Sequence, residues 1–232
     1  MFDWLREFSS DAAHRLRTPL TRIRGELDLI LRSDAADPLR TQLEGIQEEL
    51  ERLSRVCGRL LLLGRLDQQA RDASLFAEQV DLEAMVSELL EQMAPLAQDR
   101  GVGLRRGATS RLHVRGSRPL LVEALLNLLD NAIRVTPEGN AVTVSIDAEG
   151  GAARLSVEDR GPGVPPEERE RIFQPFYRIP RASAGDTDEG SGLGLAIVRG
   201  IAQAHGGRVE VFAAPTGGSV FSLVLPAPPA LS

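Results

Sequence analysis

Leucine and isoleucine recur at spacings of three and four residues through the first 69 residues of the chain. This spacing places them on one face of a helix, and residues 33–38 predict a turn between two such helices. Two helices alone leave the apolar face uncovered, so the pattern favours a helical hairpin that dimerises into a four-helix bundle. A purely structural antiparallel coiled coil is the alternative interpretation of this segment. The repeat consists of Leu16, Leu20, Ile23, Leu27 and Ile30, followed by Leu39, Leu43, Ile46, Leu50, Leu53, Leu60 and Leu63.

The pattern changes after the polar stretch at residues 68–74, where short alternating runs are interleaved with helical segments. Gly150 and Gly151, between two of the alternating runs, predict a hairpin turn. Helices mixed with strands in no strict alternation predict an α/β sandwich, so the predicted fold class of the chain is α + (α+β). The predicted helices span residues 82–98, 118–135 and 193–205, and the predicted strands span residues 141–146, 153–157, 208–212 and 219–225.

These two patterns predict two domains. We expect residues 1–69 to form the helical hairpin, residues 70–78 a linker, residues 79–226 the α/β domain and residues 227–232 a flexible tail. A chain of 232 residues is long enough for each domain to bury a core of its own.

Composition and charge exclude several classes of protein. The formal net charge is −6, whereas nucleic-acid binders usually carry a basic patch on a basic domain. The single cysteine, Cys57, excludes an internal disulfide. No apolar run approaches the roughly 18 residues that a membrane-spanning helix needs. We therefore expect a soluble chain with no nucleic-acid partner.

A histidine stands off the apolar face of the first predicted helix. His14 lies two positions before Leu16, about 200° around the helix, and an exposed neutral imidazole is a competent nucleophile. A lone exposed histidine is more often ordinary surface. Two neighbours favour a functional role: Pro19 interrupts the helical hydrogen bonding, and Thr18 lies one turn after His14 on the same face.

Two asparagines predict a metal-linked phosphate site in the second domain. Asn127 and Asn131 are four residues apart, on one face of a predicted helix. Their amide oxygens suit Mg²⁺, which prefers oxygen ligands and takes others from phosphates and water. Taken alone, two asparagines on a helix are more often polar surface.

Two motifs in the second domain contain glycines: the first follows a predicted strand, and the second opens a predicted helix. Asp159 precedes Gly161 and Gly163, and its carboxylate could accept a hydrogen bond from an exocyclic amine such as that of adenine. A strand-end turn is the plainer interpretation of this motif. The second motif, residues 190–194, opens an apolar helix whose free amides would favour phosphate, and no clear βαβ unit surrounds it.

Together these motifs resemble those of a known family. Residues 8–20, with the core His-Arg-Leu-Arg-Thr-Pro-Leu, resemble the phosphoacceptor box of sensor histidine kinases. Residues 127–132, 159–163, 173–178 and 190–195 resemble the nucleotide boxes of their ATPase domain, and residues 217–221 resemble a further glycine box. The resemblance covers the chain from about Phe8 to Leu225.

The resemblance implies an ATP-dependent, Mg²⁺-dependent kinase that phosphorylates itself on His14. The phosphoryl group would pass to an aspartate in the receiver domain of a response regulator, and Thr18 would support the reverse hydrolysis. It also implies that the protein is a homodimer. The chain would lie in the cytoplasm and would be the cytosolic part of an inner-membrane sensor. Any membrane contact would come through a sensory region outside this chain.

The resemblance also assigns site residues. Asn127 and Asn131 would be the Mg²⁺ ligands, Asp159 would read adenine, and Arg134 would contact phosphate. Arg178 is a weaker candidate for the γ-phosphate, and residues 179–189 would form the ATP lid. The nucleotide loops would be shaped by Gly161, Gly163, Gly190, Gly192, Leu193 and Gly194.

Two positions depart from the family pattern. Arg15 replaces the usual acid after the histidine and cannot act as a base, so Asp11 is the hypothetical substitute. Val135 stands where the family often has tyrosine. These departures leave open an ATP-binding scaffold or phosphatase-biased dimer with little autokinase activity. A relative of the same ATPase fold that phosphorylates serine is disfavoured by the His14 box.

Overall fold

The computed structural model describes residues 20–21, 23–25, 27–28, 30, 40–69, 78–179 and 191–226. The chain divides into two compact units, Met1–Leu66 and Asp67–Ser232. Within the described residues, no helix is both long and apolar enough to span a membrane.

The described residues of the first unit are helical. Residues 20–21, 23–25, 27–28 and 30 are helical, and helix α1 spans Arg40–Gln69. Cys57 and Leu61 are buried, and Leu20 from the first segment packs against them. This packing brings the two predicted helical segments side by side, and an ion pair of 3.2 Å between Arg24 and Glu51 also joins them.

Part of the apolar repeat of this unit remains exposed. Ile23 and Ile30 are each 47% exposed, and Ile46 and Leu53 are 50% and 43% exposed. Each pair is seven residues apart, which is close to two turns of helix. The hairpin therefore carries an apolar face that its own described residues do not cover.

The second unit is a five-stranded sheet covered by helices, with a separate two-stranded sheet. The helices are α2 (Leu82–Asp99), α3 (Arg118–Val135) and α4 (Gly194–Ala204). The strands are β1 (Gln79–Asp81), β2 (Gly103–Thr109), β3 (His113–Arg115), β4 (Ala141–Glu149), β5 (Ala152–Glu158), β6 (Arg208–Ala213) and β7 (Ser219–Pro226). The large sheet has the order β2-β4-β5-β7-β6, in which only the β2–β4 pair is parallel, and β1 pairs with β3. The predicted fold class is confirmed.

One face of the large sheet forms the core of this unit. Along β4, Val142, Val144 and Ile146 are fully buried, whereas the alternate residues Thr143 and Ser145 are half-buried. Helix α2 packs on β2 and β4, α3 on β4 and β5, and α4 on β6 and β7. Apolar residues on alternate positions thus face the helices, as the period of a strand requires.

The opposite face of the sheet is polar. Arg154 forms an ion pair of 2.9 Å with Glu210, and the hydroxyls of Ser156 and Ser222 lie 2.9 Å apart. Burial opposes ionisation of Glu210, but hydrogen bonds from Arg208 and Arg154 outweigh it and lower the pKa of this carboxyl group. Polar side chains on this face therefore satisfy one another.

The β4–β5 connection confirms the predicted hairpin. Glu149 pairs with Ala152, which leaves a loop of Gly150 and Gly151. Both glycines have positive φ, 57° and 82°, as a tight turn matched to the twist of the strands requires.

Candidate functional site

Asp159 follows β5 and is almost completely buried, with 2% of its surface exposed. Its Oδ1 accepts hydrogen bonds from the amides of Gly161, at 2.8 Å, and Ser219, at 3.1 Å. The Asp159 amide in turn donates to the Ser219 carbonyl at 2.9 Å. Both hydrogen bonds that the described residues give this carboxylate go to Oδ1, so Oδ2 is the oxygen available to a ligand.

Burial raises the pKa of the Asp159 carboxyl group above 3.8. The amides of Gly161 and Ser219 oppose this effect, and the charge of Glu158 adds to it. The two hydrogen bonds to Oδ1 therefore do not fully offset the cost of burying the charged carboxylate. A donor from a ligand would supply a further hydrogen bond.

The backbone approaches Asp159 closely from the opposite strand. Gly218 has φ 93°, and a methyl group on it would lie 2.1 Å from the Asp159 carbonyl oxygen. Gly163 has φ 80°, and a methyl group there would lie 3.3 Å from the Gly218 carbonyl oxygen. Only glycine fits at position 218, so the turn before β7 forms one wall around the acid.

The C-terminal end of α3 forms a second wall. The Arg160 amide donates to Thr136 Oγ1 at 3.2 Å, and a methyl group on Gly161 would lie 2.7 Å from Val135 Cγ2. Val135, where the family often has an aromatic residue, therefore packs directly on the turn after Asp159. These contacts bring the predicted adenine-reading acid to the helix that carries the predicted Mg²⁺ ligands.

Asn127 is oriented by its own helix. It is buried, and its Nδ2 donates to the Glu123 carbonyl at 2.8 Å and to Glu123 Oε1 at 3.1 Å. Only the nitrogen can donate to these acceptors, so Oδ1 faces the other way, where a methyl group on Gly194 would lie 2.9 Å from it. Asn131 lies four residues further along and is half-buried.

The loop before α4 is fixed on both sides. Gly192 has φ 68°, and a methyl group on it would lie 2.9 Å from the Phe176 Cα. The Phe176 amide donates to the Gly192 carbonyl at 2.9 Å. Leu193 is fully buried, so its side chain serves the core and only its backbone faces the site. Gly194 then begins α4, whose first amides have no partners within the helix and suit a phosphate group.

Residues 173–178, one of the predicted nucleotide boxes, are anchored to the domain. The Phe173 ring packs edge to face on Phe221, with centroids 6.5 Å apart. The Tyr177 hydroxyl donates to Glu168, and the Arg171 guanidinium lies 4.6 Å from the centre of the Tyr177 ring. Arg178 follows as an exposed residue.

Arg134, the residue predicted to contact phosphate, forms an ion pair within its own helix. Its Nη2 lies 2.9 Å from Asp130 Oδ2, one turn earlier. The Arg134 side chain is three-quarters buried. A phosphate at this place would therefore compete with Asp130 for the guanidinium.

The structure thus brings Asp159, Gly161 and Gly163 to the end of α3, and Asn127 to Gly194 at the start of α4. Gly218 and Ser219 belong to the glycine box predicted at residues 217–221, whereas Glu123 is a site residue that the sequence did not single out. The predicted catalytic residues Asp11, His14, Arg15 and Thr18 lie outside the described residues, as do Gly190 and residues 180–189 of the predicted lid. The individual roles remain predictions.

The donors present fit Mg²⁺ bound together with a nucleotide. Among residues 40–69, 78–179 and 191–226, with the few described before them, no three His, Cys, Asp or Glu residues could hold a metal ion by themselves. The oxygen that lies near Gly194 belongs to the neutral amide of Asn127, which suits Mg²⁺ when phosphates supply the charge.

Family models match both units. The His Kinase A (phospho-acceptor) domain matches residues 4–69. The histidine kinase-, DNA gyrase B-, and HSP90-like ATPase matches residues 116–229. The two matched segments correspond to the helical and the α/β parts of the chain.

Curated relatives align along almost the whole chain. The sensor-like histidine kinase SenX3 of Mycobacterium tuberculosis (strain ATCC 25618 / H37Rv) is 36% identical over 223 residues, which is 96% of this chain and 54% of that protein. The sensor protein QseC of Escherichia coli (strain K12) is 37% identical over 215 residues, which is 92% of this chain and 46% of that protein. The chain thus spans about half the length of the curated relatives that it matches.

Solved structures show the same similarity. Full-length ShkA, crystallised in complex with AMPPNP, is 29% identical with a TM-score of 0.80, over 97% of this chain and 47% of that one. The mycobacterial sensor histidine kinase MprB is 34% identical with a TM-score of 0.57, over 66% of this chain and 99% of that one. These matches confirm the resemblance drawn from the motifs: the chain belongs to the sensor histidine kinases of two-component systems.

Proposed function

We propose that this chain binds ATP with Mg²⁺, phosphorylates its own His14 and transfers the phosphoryl group to an aspartate of a response-regulator receiver domain. The observation that carries the proposal is Asp159, a buried carboxylate whose Oδ1 is held by two backbone amides. Its second oxygen suits the exocyclic amine of adenine. A nucleobase buried there would gain a hydrogen bond to a charged group, which contributes about 1.5–3 kcal/mol.

The phosphate end of the nucleotide would lie between α3 and α4. Asn127 directs its oxygen toward Gly194, and the first amides of α4 offer donors to phosphate oxygens. Asn127 and Asn131 would share Mg²⁺ with the phosphates, and the ion would offset negative charge on them. Arg134 would exchange its contact with Asp130 for a phosphate oxygen.

The chemistry is phosphoryl transfer by positioning. A nitrogen of the His14 imidazole bonds to the γ-phosphorus, the bond to the bridging oxygen breaks, and ADP leaves. The imidazole must release its proton, for which Asp11 is the proposed acceptor because Arg15 cannot take it. In the second transfer a carboxylate oxygen of the receiver bonds to phosphorus and the phosphorus–nitrogen bond breaks. Thr18 would orient water in the reverse, hydrolytic reaction.

Dimerisation would cover the exposed apolar face of the first unit. Ile23 and Ile30 are seven residues apart, as are Ile46 and Leu53, and each of the four is 43–50% exposed. A second hairpin of the same kind would bury them in a four-helix bundle. We place the homodimer in the cytoplasm, joined to a membrane only through a sensory region of a longer protein, as the curated relatives' description as sensors supports.

The test is incubation of the wild type and His14→Ala with γ-labelled ATP and Mg²⁺, followed by acid and base treatment. We expect acid-labile, base-stable label on the wild type and none on the variant. Label that survives in His14→Ala would contradict the assignment of the phosphorylated residue. Nucleotide binding without any label would instead identify an ATP-binding scaffold or phosphatase-biased dimer, for which Arg15 and Val135 are the motivating residues.

A further inference from the structure

His205, at the C-terminal end of α4, is a buried histidine with both ring nitrogens engaged. Nε2 accepts the Ser117 amide at 3.1 Å, and Nδ1 lies 2.8 Å from the Ile201 carbonyl oxygen. A backbone amide only donates and a carbonyl only accepts, so the proton is on Nδ1 and Nε2 carries the lone pair. The folded domain therefore holds the neutral imidazole in one tautomer.

The end of α4 fixes where this ring lies. The amides of Gly206 and Gly207 donate to the carbonyls of Gln203 and Ala202, at 3.0 and 2.9 Å, and Gly206 has φ 68°. This is a Schellman motif, a common helix ending in which glycine takes the left-handed conformation. His205 is the last residue before that turn, so its ring is carried by a defined helix end.

The partner of the ring is the start of α3. Ser117 is the residue that precedes α3, and its side chain makes no capping hydrogen bond. Gly116 leaves room for the ring, because a methyl group there would lie 2.6 Å from His205 Cδ2. The C-terminal end of α4 is thereby tied to the N-terminal end of α3.

The two antiparallel helices meet a second time at the nucleotide site. Asn127 lies ten residues after Ser117, and Gly194 lies eleven residues before His205. Both intervals correspond to roughly 15 Å of helix. The contact between Gly194 and Asn127 is therefore at one end of a rigid helix whose other end is held by His205.

We propose that His205 is a positioning residue for nucleotide binding. Its neutral ring fixes α4 lengthwise against α3, and this places the backbone at Gly192–Gly194 opposite the Asn127 oxygen. The inference rests on the proposed function, since it assigns the phosphates of the nucleotide to that place. Loss of the Ser117 hydrogen bond would let α4 slide and would weaken nucleotide binding more than it weakens the fold.

Two isosteric variants separate positioning from stability. The amide of His205→Gln can accept from Ser117 at the place of Nε2, whereas His205→Asn can replace only the Nδ1 donor toward Ile201. Gly116→Ala disrupts the same contact from the α3 side, because its methyl group would displace the His205 ring. Ile146→Val, a conservative truncation in the core of β4, is the destabilised control because it leaves both helices unchanged.

The measurement is the affinity of the full 232-residue chain for Mg–ADP by titration calorimetry, with thermal unfolding recorded in parallel. We expect His205→Asn and Gly116→Ala to bind about tenfold more weakly, and His205→Gln and Ile146→Val to bind within about twofold of the wild type. Wild-type affinity in both His205→Asn and Gly116→Ala would overturn this inference and leave the proposed function standing. Equal weakening of nucleotide binding in His205→Asn and His205→Gln would do the same. Absence of binding by the wild type would overturn the proposed function and this inference with it.

Discussion

The Oδ1 atom of Asn127 faces Gly194 so closely that a methyl group on the glycine would lie 2.9 Å from it. Asn127 cannot turn away freely, because its amide nitrogen is held by Glu123 through two hydrogen bonds. Gly194, the first residue of α4, is thus in close contact with Asn127, the predicted Mg²⁺ ligand, and leaves no room for a side chain at position 194.

Gly194→Ala should therefore weaken binding of Mg–ATP by about tenfold or more, equivalent to about 1.4 kcal/mol. The added methyl group would displace either the Asn127 oxygen or the start of α4, although alanine is the better helix former. Calorimetric titration with Mg–ATP measures the effect. Gly45→Ala in α1 is the matched control, since a methyl group there meets nothing within 4 Å. Unchanged affinity in Gly194→Ala would show that the phosphates bind elsewhere.

Asp159→Asn should bind ATP about tenfold to a hundredfold more weakly and yet unfold no more readily at neutral pH. The asparagine oxygen can keep both backbone amides, but its NH₂ group replaces Oδ2 and would face the amine of adenine, a second donor. Loss of the hydrogen bond between the adenine amine and the charged carboxylate accounts for the weaker binding of ATP. Burial raises the pKa of the Asp159 carboxyl group, so its ionisation costs stability as pH rises above 3.8, and asparagine removes that cost.

The measurements for this variant are ATP titration and urea unfolding at pH 7. Glu158→Gln is the control, because this neighbouring carboxylate contacts Arg160 and the Thr216 hydroxyl, each at 3.3 Å, and affects Asp159 only through its charge. We expect it to keep wild-type affinity. A clear loss of unfolding free energy in Asp159→Asn would mean that the charged carboxylate stabilises the nucleotide-free domain.

Local pattern was sufficient for much of the fold. The predicted bounds of α3, residues 118–135, match the structure because Pro119 favours the first turn and apolar residues repeat without interruption. Strand β2 was missed because Gly103–Thr109 carries Arg105, Arg106 and Gly107 and shows no apolar alternation. It is an edge strand paired only with β4, so few of its side chains are buried.

The site was predictable where a motif carries its own chemistry, as at Asp159 and Asn127. It was not predictable where the contact joins distant residues. Ser219 and His205 meet their partners across 60 and 88 residues of sequence, and neither has a local signal for that contact. The pairing of Arg134 with Asp130 is local, at four residues, but the sequence alone could not decide between it and a phosphate.

The stability of the second unit should depend on pH through His205. Burial lowers the pKa of this imidazole below 6.5, and the Ile201 carbonyl opposes that effect only in part. The unfolded chain then binds a proton more readily than the folded domain, so unfolding free energy falls as pH drops below about 6.5, by at most about 1.4 kcal/mol per unit for one proton. Urea unfolding from pH 5 to 8 measures this, and the difference between wild type and His205→Gln isolates it from other groups. A pH-independent difference would contradict it.

Ile46→Lys should convert the dimer into monomers, whereas Glu48→Lys should not. Ile46 is half exposed in the hairpin, on the face that we assign to the second copy, and each isoleucine buried there contributes about 1.5–3 kcal/mol. A lysine at that position would lose this contribution in both protomers and would place like charges together. Glu48 is an exposed residue two positions away, so the same new side chain tests for a non-specific effect of charge. Sedimentation equilibrium should show a dissociation constant raised at least about a hundredfold for Ile46→Lys alone. Equal dissociation constants in the two variants would place the dimer interface on another face of the hairpin.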